Sequence, residues 1–233
     1  QQREVLYQLQ RSNAIGKANI GLKPNRVYAL TTPADFATWT PEQKNGFFAR
    51  EAKNSVNRSM KATGLGPGNQ IRSSADSARA QAARITNTWL RETVEAHAVN
   101  RPNLILKTGA GNCGEMAMVS RDIVRKSGGH AYEWKASDAH AFTVIGGPST
   151  LPVGTVNFSE AAWADAWIVD PWADIACPAR LYTQKLNEVM TQWERENLKI
   201  MDQGKLMSPL DSTWLNKLIV RPKQPYTFGY DAA

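Results

Sequence analysis

Gly111-Asn112-Cys113-Gly114-Glu115-Met116-Ala117 is the stretch on which the reading of this chain turns. It sets a cysteine directly after a small-residue loop, Thr108-Gly109-Ala110-Gly111-Asn112, and at the head of an apolar stripe. Met116, Val119, Ile123 and Val124 recur at helical spacing, which predicts a helix from about Cys113 to Lys126, stopped by Gly128-Gly129. The first turn of a helix carries partial positive charge and unpaired N–H groups. Both favour a thiolate, and the same N–H groups can receive the oxyanion formed when a carbonyl is attacked. Gly111 and Gly114 leave room for a substrate backbone beside the sulfur. A small buried hydrophobe that happens to start a helix has the same local pattern, so the context must decide.

A thiol nucleophile needs a base, and the base needs an orienting group. His130-Ala131-Tyr132-Glu133-Trp134 predicts a strand and Ser137-Asp138 a turn. His140-Ala141-Phe142-Thr143-Val144-Ile145 predicts a second strand, closed by Gly146-Gly147-Pro148. After a looser stretch, Trp163 to Val169 leads as a strand into Asp170-Pro171-Trp172. Adjacent antiparallel strands can bring His140 and Asp170 within hydrogen-bond reach. A carboxylate there would fix the imidazole tautomer and favour the imidazolium. The plainer alternatives are a buried histidine bonding a backbone carbonyl and a turn-forming aspartate before proline. His97, near a helix end, and His130, after two glycines, are weaker candidates.

Upstream, Glu4 to Gln10 suits a short helix, and Thr40-Pro41-Glu42 reads as an N-cap with proline in the first turn. The helix continues through Phe47, Phe48 and Ala52 towards Met60, and Gly64, Gly66, Pro67 and Gly68 break it. Ser73 or Ser74 caps a further helix whose stripe is Ala78, Ala82, Ile85 and Trp89, ended by Asn100-Arg101-Pro102-Asn103. Leu104-Ile105-Leu106 is a short apolar run. Downstream, Tyr182, Leu186, Val189, Met190 and Trp193 repeat at helical spacing, and a short helix near Leu215 to Val220 precedes a polar tail. Helices, a cysteine-bearing helix, strands, then helices make an α+β plan. Residues 1–100 form a mostly helical N-terminal region, and 101–233 hold the candidate core with its C-terminal helices.

A chain of 233 residues, 42% hydrophobic and 21% charged, has ordinary globular composition and can bury a core without disulfides. No apolar stretch approaches the roughly 18 to 20 residues of a membrane span. Two cysteines cannot build a disulfide framework, and with three histidines there is no zinc-ribbon spacing. No metal and no cofactor are expected. Cys177 is expected to be a free structural thiol, and neither cysteine suggests an oxidising compartment. All of the net charge of +7 falls in residues 1–100. The basic residues there are scattered and lack interleaved aromatics, which argues against a nucleic-acid partner and for a solvated face. The first residue is glutamine, so the chain is expected to be a piece or a processed product of a longer protein.

Taken together, Gly111 to Ala117, Asp138-Ala139-His140-Ala141-Phe142-Thr143-Val144-Ile145-Gly146 and Ile168-Val169-Asp170-Pro171-Trp172-Ala173 resemble the papain-like, transglutaminase-type cysteine superfamily. The likeness is to bacterial Cys-His-Asp effector and toxin domains in particular, and covers about residues 103–177. It implies a cysteine-bearing helix packed on an antiparallel sheet. It also implies Cys113 as nucleophile, His140 as base and Asp170 as orienter. Two features depart from the pattern: the 30 residues from His140 to Asp170 imply an inserted loop, and Lys107 lies where papain-type proteases carry an oxyanion-hole glutamine. Asn112 and the backbone N–H of Cys113 would then serve the oxyanion. Glu115 either orders the loop or simply complements the helix dipole, and Trp172 is either a cleft wall or core.

The resemblance implies acyl transfer through a Cys113 thioester, and the acceptor decides the activity. Water would make the protein a glutamine deamidase and a lysine amine a transglutaminase, in either case acting on a glutamine of a target protein. A secreted or translocated effector, acting in the reducing cytosol of another cell, is the leading expectation. A papain-like protease comes second. Arylamine acyltransferases are a distant third, because their Arg-Gly-Gly approach to the cysteine is absent. A non-catalytic interaction module stands as the alternative of another class.

Overall fold

The computed structural model describes residues 26–93, 101–136, 139–150, 152, 154–220 and 223–225. The expectations for residues 4–10, for the Ser137-Asp138 turn, for His97 and for the tail after 225 lie outside them.

Helix α1 spans Pro41–Thr63. The Gln43 N–H donates to the Thr40 hydroxyl at 3.3 Å, and the Thr40 N–H donates to the Gln43 side chain at 2.8 Å. This is a reciprocal capping box with proline in the first turn, as the sequence predicts. Gly64, at φ 72°, supplies the left-handed residue that ends it. Residues 64–70 then form a strap. The Gly66 N–H donates to the Gly109 carbonyl at 2.8 Å. The Arg79 guanidinium donates to the carbonyls of Leu65, Pro67 and Gln70 and is paired with Asp76.

Helix α2 spans Ser77–Thr93. Its buried face matches the expected Ala78, Ala82, Ile85, Trp89 stripe only at Ala82: Ala78 is exposed, Ile85 and Trp89 are half-buried, and Ala80, Ala83, Asn87 and Leu90 are buried with Ala82. The alanine face turns inward because the helix lies close against the strap. A side chain at Gly68 would meet Arg84 Cγ at 2.8 Å and the Ala80 carbonyl at 3.2 Å. Arg101–Thr108 forms helix α3, where the sequence reading has a break at Pro102. Proline sits in the first turn, where its missing N–H costs nothing. Helix α4, Cys113–Lys126, has the predicted bounds.

The strands are β1 Gln70–Ile71, β2 Ala131–Ala136, β3 His140–Ile145, β4 Trp167–Asp170, β5 Ile175–Pro178, β6 Lys199–Asp202, β7 Lys205–Met207 and β8 Lys223–Pro225. Five of them make an antiparallel sheet in the order β5-β4-β3-β2-β8, and β1-β6-β7 make a small antiparallel one. The strand expected from Trp163 starts only at Trp167, because Ala161–Trp163 is a turn of 3-10 helix. Helix α5, Tyr182–Arg195, buries Tyr182, Leu186, Met190 and Trp193 as predicted. The C-terminal part is not purely helical: the β6-β7 hairpin separates α5 from the short helix α6, Ser212–Leu215, which runs on into a π-helical turn at Asn216–Val220.

The described residues are therefore mixed α+β, with two antiparallel sheets and helices both before and after the main run of strands. Phe48, Ala52, Val56 and Met60 of α1 share one apolar core with Val119 and Ile123 of α4, Val144, Ile168 and Leu186. Helix α1 packs on β4, β5 and α4, so the N-terminal region is part of the scaffold that carries the candidate site.

Candidate active site

Cys113 opens α4 after the loop at Gly109–Asn112. Gly109, at φ 61°, is built into this approach, since a side chain there would run into Thr63. Glu115 is 4% exposed and does two things at once. Its Oε2 accepts the Asn112 N–H at 3.0 Å, and its carboxylate takes a two-point bond from Arg91, Nε to Oε1 at 2.7 Å and Nη2 to Oε2 at 3.0 Å. Ordering the loop and complementing the helix N-terminus are thus one role. Arg91 on α2 has no sequence signal that would have found it.

His140 is the first residue of β3, and the register Thr143↔Val169, Val144↔Ile168 lays β4 beside it. Thr143 reaches α4 through the Ala117 carbonyl at 2.8 Å. By the two-residue period of a strand, His140 and Phe142 take the other side, and Asp170 of β4 joins them. His140 Nε2 lies 2.7 Å from Asp170 Oδ2, with both side chains almost fully buried. Asp170 Oδ1 accepts the Ala173 N–H at 3.2 Å. At the same end of the sheet the first turn of α4 arrives, with Cys113 Sγ 3.8 Å from the Ala139 carbonyl. Cys113 itself is half-buried.

Burial alone would pull the imidazole's pKa down. The Asp170 charge and hydrogen bond outweigh it, helped by Cys113, and push His140 up to about 10. The pairing therefore favours the imidazolium over the neutral ring. With Nε2 engaged, Nδ1 is the nitrogen left over, buried and without a hydrogen-bond partner of its own among the described residues.

Trp172 is a core residue at the edge of a cleft. It is 3% exposed, its ring centre lies 4.9 Å from that of His140 and 5.0 Å from that of Trp193, and its Nε1 donates to Asn69 at 2.9 Å. It also lines a cleft of about 690 Å³ together with Met60, Gly66, Pro67, Met116 and Trp193. Neither Cys113 nor His140 lines that cleft, which borders them through Met116 and Trp172. Asn112 is tied to the strap: its Oδ1 accepts the Gly68 N–H at 3.0 Å, so only its amide N–H₂ remains to serve an oxyanion. Lys107 is exposed on α3.

His130 is excluded by the register. It precedes Ala131, which pairs with Ile145, at the end of the hairpin opposite to His140. Cys177 is buried on β5 opposite Ile168, and both cysteines are free. Burial and the Asp170 charge push the Cys177 thiol up to about 12. The structure also adds a side chain that the sequence reading placed only on an apolar stripe, Tyr182. Its hydroxyl lies 2.8 Å from Asp170 Oδ2 and 3.0 Å from His140 Nε2. A phenol among Leu186, Met190 and Trp193 is the one signal that could have pointed to it.

Among the described residues no cluster of His, Cys, Asp and Glu could hold a metal ion, and no helix is long and apolar enough to cross a membrane. No protein-family model, curated protein or solved structure matches this chain.

Proposed function

We propose that the chain is a cysteine-dependent acyl-transfer enzyme with a papain-like, transglutaminase-type core. In this reading it is a bacterial effector that deamidates a glutamine of a target protein in another cell. One observation carries the proposal: a cysteine at a helix N-terminus, a histidine with an engaged Nε2 and a buried aspartate converge at one end of the sheet from three separate elements.

The Cys113 thiolate attacks the carboxamide carbon, and the C–S bond forms as the carbonyl π pair moves to oxygen. N–H groups of the first turn of α4 receive that oxyanion. The tetrahedral species collapses, the C–N bond breaks, and His140 gives its Nδ1 proton to the departing nitrogen, so ammonia leaves. Water then attacks the thioester while His140 takes its proton. The C–S bond breaks, leaving glutamate and the thiolate–imidazolium pair. A lysine amine in place of water gives an isopeptide cross-link. With Lys107 exposed and Asn112 Oδ1 engaged, oxyanion stabilisation falls to the backbone rather than to a protease-type glutamine.

The test is incubation of glutamine-bearing proteins with wild type and with Cys113→Ala, read by intact and peptide mass spectrometry. A gain of about 1 Da at a glutamine, with wild type only, supports the proposal. A lysine adduct makes the enzyme a transglutaminase, and backbone cleavage makes it a protease. A Cys113 that alkylates no faster than an ordinary thiol refutes the catalytic reading and leaves an interaction module.

A further inference from the structure

We propose that Tyr182 is a positioning residue that holds His140 with Nδ1 towards Cys113. This rests on the nucleophile–base reading above.

Tyr182 Oη is 2.8 Å from Asp170 Oδ2 and 3.0 Å from His140 Nε2. Burial and the Asp170 charge push the phenol well above its ordinary range, so it keeps its proton. A carboxylate has none to give, so the hydroxyl donates to Asp170. Its lone pairs then face Nε2. His140 Nε2–H is thereby set before two oxygens, one on β4 and one on α5. Two acceptors on different elements fix both the site of the proton and the plane of the ring. One acceptor alone would leave the ring free to pivot about a single bond.

Packing supports the same assignment. Tyr182 is fully buried at the head of α5, with its ring centre 4.6 Å from that of Phe142. Phenylalanine would fill that space as well, and a buried hydroxyl is unfavourable unless bonded. Here it is bonded twice, and both bonds go to the pair that serves Cys113. The chain delivers it there directly: β5 pairs with β4, and after one short turn α5 begins at Tyr182.

The experiment is iodoacetamide alkylation of Cys113 against pH in wild type and Tyr182→Phe, with circular dichroism as the check on folding. At about pH 6, below the ordinary thiol range, the variant should react at least about tenfold more slowly. Above about pH 10, where the thiolate forms without help, the two rates should converge. An effect on access alone would slow the variant at every pH. 3-Fluorotyrosine at position 182 keeps a hydroxyl that both donates and accepts, and should restore most of the rate. A Phe variant within about twofold of wild type across the range overturns the proposal. A wild-type Cys113 that is itself inert at about pH 6 overturns the nucleophile reading instead. Should the Phe variant not fold, ¹⁵N-histidine-labelled wild type answers the question. The His140 Nε2 proton should be far downfield and slow to exchange, and a rapidly exchanging one overturns the proposal.

Discussion

The His140–Asp170 pair should make the fold lose stability as pH rises, and the size of that loss can be worked from the structure. His140 stands at about 10 in the folded chain against 6.5 for an ordinary histidine. The folded state therefore keeps a proton that the unfolded chain gives up. Its contribution is complete below the unfolded value and disappears as pH climbs through the folded one. The slope between them is about 1.4 kcal/mol per pH unit, and the whole displacement amounts to at most about 5 kcal/mol. Cys113 supplies part of it, so the cleanest comparison puts Cys113→Ala in both proteins. In that background the double variant with His140→Asn is subtracted from the single one. Urea unfolding, followed by tryptophan fluorescence, should show the difference shrinking by about 2 to 5 kcal/mol from about pH 6.5 to about pH 10. Other lysines, tyrosines and the second thiol titrate equally in both and cancel. A difference that stays constant over this window would mean that His140 is neutral in the native protein. The thiolate–imidazolium reading would then fail with it.

Four further outcomes are expected. Iodoacetamide at about neutral pH should label Cys113 and spare Cys177, whose thiol burial has pushed up to about 12; Cys177 should react only in denaturant, and peptide mapping reads both sites. Glu115→Ala removes the bond to the Asn112 N–H and both bonds of the Arg91 fork, at about 1 to 2 kcal/mol of stability by denaturant titration. It should also slow Cys113 alkylation, which Arg91→Ala should do less, since Arg91 is half exposed. Arg79→Lys should loosen the strap, because an ammonium cannot span the carbonyls of Leu65, Pro67 and Gln70 and hold Asp76 as well; amide exchange at Gly66 and Gly68 should rise at least about tenfold. Gly109→Ala forces a side chain into Thr63 at a left-handed φ of 61° and should cost more than about 3 kcal/mol in a chemical melt. Thr63→Ser should not relieve it, since the hydroxyl remains.

The parts of the fold that were legible in the sequence are those with short-range causes. Helix α4 has the predicted bounds because a glycine-rich loop, a strong apolar stripe and Gly128-Gly129 all act within a few residues. The α1 cap is equally local. The α2 face was misjudged because alanines dominate it, and alanine contrasts too little with its neighbours to set a phase. What decided the phase was the strap, which is distant in sequence. Pro102 carries two meanings, breaker and first-turn residue, and only the presence of a helix after it chooses between them. Strand β5 is four residues ending in proline, and it is a strand only because β4 offers it an edge. The three candidate catalytic residues were legible from motif order. The His140–Asp170 contact was expected from adjacent antiparallel strands, although its geometry rests on β3–β4 register across 30 residues; the Tyr182 bond to His140, which spans 42, was not legible.

The shared core of α1 with β4 and β5 has a consequence for the order of events at the ribosome. Helix α1 is complete at Thr63, yet the strands it packs against end at Asp170 and Pro178. A nascent chain therefore carries this helix through the whole stretch from Gly64 to Asp170 without the sheet edge that completes its burial. Contacts this distant close slowly, because the loop entropy is lost before the contact repays it. The thiol at position 113 emerges long before Asp170 and Tyr182, so a growing or truncated chain exposes a cysteine with no activated base. On the proposed function, chemistry at Cys113 is thus tied to completion of the fold.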